Sequence, residues 1–372
     1  MTNPIEIAKA LISRPSITPN DAGCQEFIAD LLKKHGFSCH FLPKGQVSNL
    51  WVTFGSGKPL LLFVGHTDVV PPGGDWQHDP FVPVVEHGKL YGRGACDMKG
   101  ALAAMIAAAL QFADKAPAKG TLAFLLTSDE EGPAIDGTCH VLSWLQAQGI
   151  APDYIIVGEP TAVKEPGDTI KNGRRGSLSV DLNIKGVQGH IAYPQRAKNP
   201  IHLLAPALLA WVNTIWDEGN DFFPPTSFQI SKIHADGGAE NIIPGQLTIR
   251  ANFRFCPIST PESLKEQFEA IAQLYQLDYE ARWRLSANPY FTAPGRLTHV
   301  VSEVAANVFG KAPLLSTSGG TSDGRFLATI CPEVIEFGPV GRSAHQVDEW
   351  VEVEDLQLMT KAYLQIMEDL LR

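Results

Sequence analysis

Seven residues of this 372-residue chain set the chemical question: His66 and Asp68 in GHTDVVPPGG, Asp97 in YGRGACDMKG, Glu130 and Glu131 in SDEEG, Glu159 in GEPT and His345 in SAHQVDE. Each lies at the exit of a strand-like stretch, and several stand beside Gly or Pro, residues that favour tight turns. Histidine, aspartate and glutamate together form the ligand chemistry of a borderline cation. Zinc is the first expectation, with cobalt or manganese as alternatives, because calcium and magnesium sites favour oxygen alone. A single acid after a strand is usually a turn residue or helix cap, and a lone histidine is more often not a ligand. The shared position of all seven at strand exits gives the set its weight.

His66 and Asp68 are two apart. If the strand runs through both, their side chains face the same way, and Asp68 can accept the second N–H of the His66 ring. Glu130 and Glu131, as neighbours in extended chain, point apart, so one is expected to bind metal while the other faces substrate or water. Unpaired, the two carboxylates repel each other, and a divalent cation relieves the repulsion.

The elements that must position these residues read as follows. SNLWVTFG, PLLLFVGHTDVV, TLAFLLTSDE and YIIVGEP are strand-like and alternate with helices over about Met98–Lys115 and Thr138–Gln148. Near-continuous apolar strands alternating with helices indicate an α/β domain with both sheet faces covered. From Ser177 the pattern changes. SLSVDLNIKG alternates like a half-exposed strand, NPIHLLAPALLAWVNTIW is helical, TSFQISKIH and QLTIRANFRF are strands, PESLKEQFEAIAQLY opens with a capping-type start, and YEARWRLSA is a strand again. This β-α-β-β-α-β order is that of a ferredoxin-like α+β unit. The expected organisation is therefore a discontinuous α/β domain, 1–176 and 289–372, interrupted by an inserted domain, 177–288. After the insertion come a helix over about Leu297–Phe309, the strand EVIEFGPV and a C-terminal helix.

Composition narrows the class. A hydrophobic fraction of 44% and a charged fraction of 19% suit a globular protein, and the net charge of −10 argues against nonspecific nucleic-acid binding, which rests on clustered Lys and Arg. The amino terminus lacks the pattern of a signal peptide, and ALAAMIAAAL is too short to span a bilayer, so a cytoplasmic enzyme is expected. Six cysteines without CxxC spacing signal neither a thiolate zinc site nor a disulfide framework.

Taken as a set, GHTDVVPPGG, YGRGACDMKGALAAM, SDEEG, GEPT, GHIAYP and SAHQVDE resemble the dizinc amidohydrolases and exopeptidases that include aminoacylases and carboxypeptidases. The resemblance implies a zinc-exopeptidase-like catalytic domain with helices on both faces of a mixed sheet, and an inserted dimerisation, or lid, domain. It implies two Zn2+ ions per subunit, for which Co2+ can substitute: one held by His66 and Glu159, the other by Glu131 and His345, with Asp97 bridging. Three carboxylates and a hydroxide balance the charge of two such ions. Glu130 becomes the general base and Asp68 a catalytic-site partner of His66, while His190 reaches the partner subunit's site to stabilise an oxyanion, which makes the protein a homodimer through the insertion. NGRRGSL, ENIIPG, FRF and SGGTSDGRF resemble the substrate-side segments of family members acting on an anionic acyl-amino acid. They nominate Arg174, Arg175 and Arg254 for carboxylates, only one of the adjacent pair facing the ligand, and Ser177, Tyr193, Asn241, Gly320, Thr321 and Ser322 for hydrogen bonds. A deacylase for a neutral acyl group and a noncatalytic metal-dependent scaffold are the competing readings. Neither nucleic acid nor membrane is expected as a partner.

Overall fold

The computed structural model describes residues 2–115 and 118–372. These form two compact units, Met1–Gly173 with Phe291–Ser316 and Ser322–Arg372, and Arg174–Tyr290 with Thr317–Thr321.

The first unit is built on an eight-stranded mixed sheet. Its order is Ser38–Phe41, Asn49–Gly55, Thr121–Thr127, Leu60–His66, Tyr154–Val157, Val334–Glu336, Thr169–Lys171 and Leu314–Ser316. Leu60–His66 and Thr121–Thr127 are buried at every residue, as apolar runs covered on both faces must be. These two strands and Tyr154–Val157 run parallel, with His66 opposite Thr127 and Val64 opposite Val157, so their carboxyl ends share one edge. In open α/β sheets that edge is where ligands bind.

The alanine-rich helix Lys99–Ala113 is buried along nearly its whole length and packs against the helices Pro4–Ile12 and Val353–Leu371. Alanine lets these helices approach closely, and at Gly100 a Cβ would stand 2.3 Å from the Ala95 carbonyl oxygen. The helix starts directly after the Asp97 turn, so its burial anchors that turn from below. The remaining predicted helices are found at Thr138–Ala147 and Arg296–Phe309. Not anticipated were the amino-terminal helices Pro4–Ile12 and Cys24–Lys33, the strands Ser38–Phe41, Thr169–Lys171 and Leu314–Ser316 of the main sheet, and a small sheet of Val84–Glu86, Lys89–Tyr91 and Trp350–Glu352.

The second unit has the predicted β-α-β-β-α-β order. Its strands, Ser227–His234, Gln246–Phe255, Gly176–Lys185 and Tyr279–Ala287 from edge to edge, are antiparallel neighbours, and the helices Pro200–Asn213 and Pro261–Leu274 bury the apolar side. Leu178, Val180, Leu182 and Ile184 are buried in the period-two pattern the sequence shows. The Trp211 and Phe268 rings stack at 4.2 Å, and the Trp211 indole N–H donates to the Phe268 carbonyl at 3.1 Å. The six cysteines are all unpaired. Among the described residues, no helix is long and apolar enough to cross a membrane.

Because Trp211 joins both helices of the second unit, Trp211→Ala is expected to cost about 3–5 kcal/mol. Urea unfolding followed by circular dichroism measures the loss; a change within error would show that this contact does not hold the unit together.

Candidate metal centre

His66 is the last residue of its strand and 1% exposed. Its Nδ1–H donates to the main-chain carbonyl of Asp68 at 2.7 Å, which turns Nε2 toward Asp97 Oδ1 at 3.2 Å and Glu159 Oε1 at 3.9 Å. The expected bond from the His66 ring to the Asp68 carboxylate is not made: Nδ1 and Oδ1 stand 3.6 Å apart, beyond hydrogen-bond range. The strand ends at His66, so the alternation that would align the two side chains no longer applies. The Asp68 carboxylate, fully buried, instead faces the SDEEG turn, with its oxygens toward the amide N–H groups of Glu130 at 3.4 Å and Glu131 at 3.2 Å. It holds the turn that carries both glutamates.

Asp97 lies in the middle of the cluster. Oδ1 faces His66 Nε2, and Oδ2 faces His345 Nε2 at 3.4 Å. His345 Nε2 is also 2.8 Å from Glu131 Oε1. The ligand atoms of His66, Asp97 and Glu131 lie within 4.8 Å of one another, as do those of His66, Glu130 and Glu159. The two histidines thus define two lobes that meet at Asp97, His66 with Glu159 and Glu130 in the first and His345 with Glu131 in the second, and Glu131 also lies within reach of His66.

Crowded negative charge dominates the electrostatics of the cluster. Burial, then the charges of Asp97 and Glu130, raises Glu159 well above the usual carboxylate range. Burial, then the Asp323 charge, pushes Glu130 up to about 8. Burial works to lower the His66 imidazole, but its bond to Asp97 and the surrounding carboxylates carry it well above its ordinary value. Hydrogen bonds to Asp97 and Glu131 raise His345 to about 10. Burial opposes ionisation of Asp97, yet its bonds to His345 and His66 bring it below its ordinary value. Burial and crowded negative charge together make a positive counterpart favourable among these groups. Divalent cations between the same nitrogen and oxygen atoms would meet that need, so the donor set fits metal binding.

Asp323 was not singled out in the sequence. It is 3% exposed, accepts from the Thr138 hydroxyl at 2.6 Å, and acts on Glu130 through its charge. Its only signal in the sequence is an acid inside the glycine-rich SGGTSDGRF. Ser322, expected to offer a hydrogen bond to substrate, is 2% exposed and donates to Glu336 Oε1 at 2.5 Å. Its hydroxyl faces inward because Glu336 ends a buried strand beneath it.

The remaining candidates belong to the second unit. Arg174 is 7% exposed, and its Nη1 donates to the Ser318 carbonyl at 3.0 Å, close against Gly319, where a Cβ would meet that nitrogen at 2.5 Å. Gly320 and Thr321 continue the same segment, with the Thr321 hydroxyl buried and unpartnered. Arg175 reaches Ser227 Oγ at 3.4 Å. Ser227 stands opposite Arg254 on the neighbouring strand, so the two cations lie in one region, where burial, then the Arg175 charge, lowers the Arg254 guanidinium. Arg175 Nε and Arg254 Nη1 are buried without partners. Ser177 pairs with Arg254 across the strands, and its hydroxyl accepts from Asn252 at 3.1 Å. His190 is exposed on a short ribbon in which Gly189–His190 pairs with Ile242–Ile243. Tyr193 lies 5.6 Å away, ring to ring, and Asn241 accepts from the Ile191 N–H at 2.9 Å.

Known proteins resemble this chain in sequence and fold. The family model for peptidase family M20/M25/M40 matches residues 62–369. The succinyl-diaminopimelate desuccinylase of Albidiferax ferrireducens is 50% identical, over 100% of this chain and 98% of that protein, and the one from Nitrosospira multiformis is 51% identical, over 100% and 99%. Among solved structures, the fold is similar to an M20 family metallo-carboxypeptidase of Sulfolobus solfataricus, with a TM-score of 0.83 at 18% identity, covering 99% of both chains. It is also similar to the YXEP protein of Bacillus subtilis, described as a dinuclear metal binding peptidase from the M20 family, with a TM-score of 0.75 at 19% identity, covering 99% of this chain and 98% of that one. By the extent of the family match and the identity shared along its whole length, this chain belongs to peptidase family M20/M25/M40.

Proposed function

We propose that this chain hydrolyses the amide bond of N-succinyl-LL-2,6-diaminopimelate to succinate and LL-2,6-diaminopimelate, a step of lysine and cell-wall precursor biosynthesis. The observation that carries the reading is the two-lobed cluster around Asp97, in a chain half identical throughout to proteins named for that reaction. We assign His66 and Glu159 to one metal ion, Glu131 and His345 to the other, and Asp97 to both. The donor set favours Zn2+, with Co2+ as a substitute. When bound, the ions supply Lewis-acid polarisation of the amide carbonyl and lower the pKa of the attacking water.

Glu130 does the proton chemistry. It takes the proton of the attacking water and delivers it to the leaving amine nitrogen as the C–N bond breaks, so one carboxylate serves as base and then as acid. Asp68 holds Glu130 and Glu131 in register through their amide N–H groups. The substrate carries three carboxylates and one ammonium. Arg254 and one of the adjacent Arg174 and Arg175 offset that charge, and Ser177, Tyr193, Asn241, Gly320 and Thr321 supply hydrogen bonds.

We further infer a homodimer through the second unit. Leu209, Val212 and Ile215 stand outward at 63%, 56% and 75% exposure on and just beyond the helix Pro200–Asn213, an apolar stripe of the kind that marks an interaction surface. The strand Ser227–His234 leaves one edge of that unit's sheet unpaired. His190, on the exposed ribbon, is assigned to the oxyanion of the partner subunit's reaction. The six unpaired cysteines suit a reducing compartment, in keeping with a cytoplasmic enzyme.

Metal-free protein reconstituted with zinc is expected to release amine from N-succinyl-LL-2,6-diaminopimelate and not from N-acetylornithine; turnover of the second alone moves the protein to an acetylornithine deacetylase. Glu130→Gln is expected to keep its metal content while kcat falls about 10²–10⁴-fold. Retained turnover would exclude Glu130 as the base, whereas a wild-type protein that binds metal without hydrolysis would favour a scaffold. Arg254→Ala is expected to lower kcat/KM for the succinyl substrate by about 10-fold or more, as loss of a charge-assisted bond does. An equal loss on a neutral acyl amide would remove Arg254 from succinyl recognition. Mixing the inactive variants Glu130→Gln and His190→Ala is expected to restore activity that neither has alone, since a hybrid dimer then holds one complete site. No recovery on subunit exchange would place His190 outside the partner's reaction.

A further inference from the structure

Glu349 and Arg93 form an ion pair at 2.8 Å, with 1% and 2% of their side chains exposed. Neither can touch a substrate. Glu349 Oε1 accepts the amide N–H of Cys96 at 2.8 Å and of Asp97 at 2.9 Å, while Oε2 accepts from Gly94 N–H at 2.9 Å and from Arg93 Nη1. Four donors converge on one carboxylate, and one of them is the main chain of the residue shared by the two lobes. Arg93 reaches in the other directions. Its Nη1 also donates to the carbonyl of Gln346, the residue after His345, at 3.1 Å, and its Nη2 donates to the Pro72 carbonyl, in the segment following His66, at 3.0 Å. A single buried pair therefore touches the segments carrying His66, Asp97 and His345.

We propose that Glu349, held by Arg93, is a positioning residue for the two-metal centre: it fixes the main chain of Asp97 relative to the two histidine segments, and so sets the spacing at which two cations share that carboxylate. The inference rests on the two-cation reading above. A carboxylate is required because all its acceptor positions face N–H donors. In Glu349→Gln the amide NH2 would face two of those donors and leave the Arg93 charge buried without its counterpart. Lysine in place of Arg93 keeps the charge but lacks the planar fork that serves Glu349, Gln346 and Pro72 together.

The test is stepwise binding of Co2+ to metal-free wild type, Glu349→Gln and Arg93→Lys by calorimetry, with electron paramagnetic resonance of the loaded proteins and steady-state kinetics alongside. In the variants the first ion is expected to bind as in wild type, the second about 10–100-fold more weakly, with the magnetic coupling between the two ions reduced and kcat falling at unchanged KM. A merely structural role lowers the melting temperature and leaves stepwise affinities and coupling at wild-type values, and that result overturns the proposal. If Glu349→Gln does not fold, Arg93→Lys decides between the same two outcomes. A wild-type protein that takes up a single ion overturns the two-cation reading, and this inference with it.

Discussion

Like-charge crowding is the constraint on which the rest of the structure depends. Asp97, Glu130, Glu131 and Glu159 converge with two histidines at one edge of a sheet whose central strands are wholly buried. Carboxylates at this density cannot all ionise without a positive counterpart, and burial with the neighbouring charges raises Glu130 and Glu159. The surroundings are organised to hold the acids in place against that repulsion. Asp68 accepts from the turn behind Glu130 and Glu131, and the alanine-rich helix is locked into the core behind Asp97. The stable interior is what allows an unstable arrangement of charge at its edge.

Much of this was legible in the sequence, and the reasons are physical. His66, Asp68, Glu130, Glu131 and Glu159 stand out because fully buried strands read as unbroken apolar runs, which makes the polar residues after each run conspicuous, whereas Asp97 and His345 lie in turns well past the short strands Lys89–Tyr91 and Val334–Glu336 and not at their exits. The second unit was legible because one-sided burial produces strict alternation, as at Leu178, Val180, Leu182 and Ile184. The helix Lys99–Ala113 stands out for its composition alone.

What was not legible fails for equally specific reasons. The partnership of Asp68 with the His66 ring assumed two more residues of strand, and strand ends are set by pairing with Thr121–Thr127 and Tyr154–Val157, which no local pattern reveals. The amino-terminal helix Pro4–Ile12 has an Asn3 cap and a proline in its first turn, signals that are weak alone in so short an element. The three-residue strands Val84–Glu86, Lys89–Tyr91 and Trp350–Glu352 are too short for any period to show. Asp323 gives no hint in its spacing that it faces Glu130, since that nearness comes entirely from tertiary packing. His66, Glu130, Glu131 and Glu159 announce themselves at or just after strand ends, whereas the groups that hold them are placed by the fold.

The ligands also differ in where they come from along the chain. His66 ends an early strand, and His345 lies in the loop before the C-terminal helix, yet both rings face the two oxygens of one aspartate. Cations bound there would close a loop comprising most of the polypeptide, including the whole second unit, and would do so through bonds the unfolded chain cannot form in the same geometry. The reaction centre would then double as a clasp. A cell's supply of metal would govern how long the folded chain resists opening and proteolysis as well as how fast it turns over, so that scarcity would be felt as fewer intact molecules.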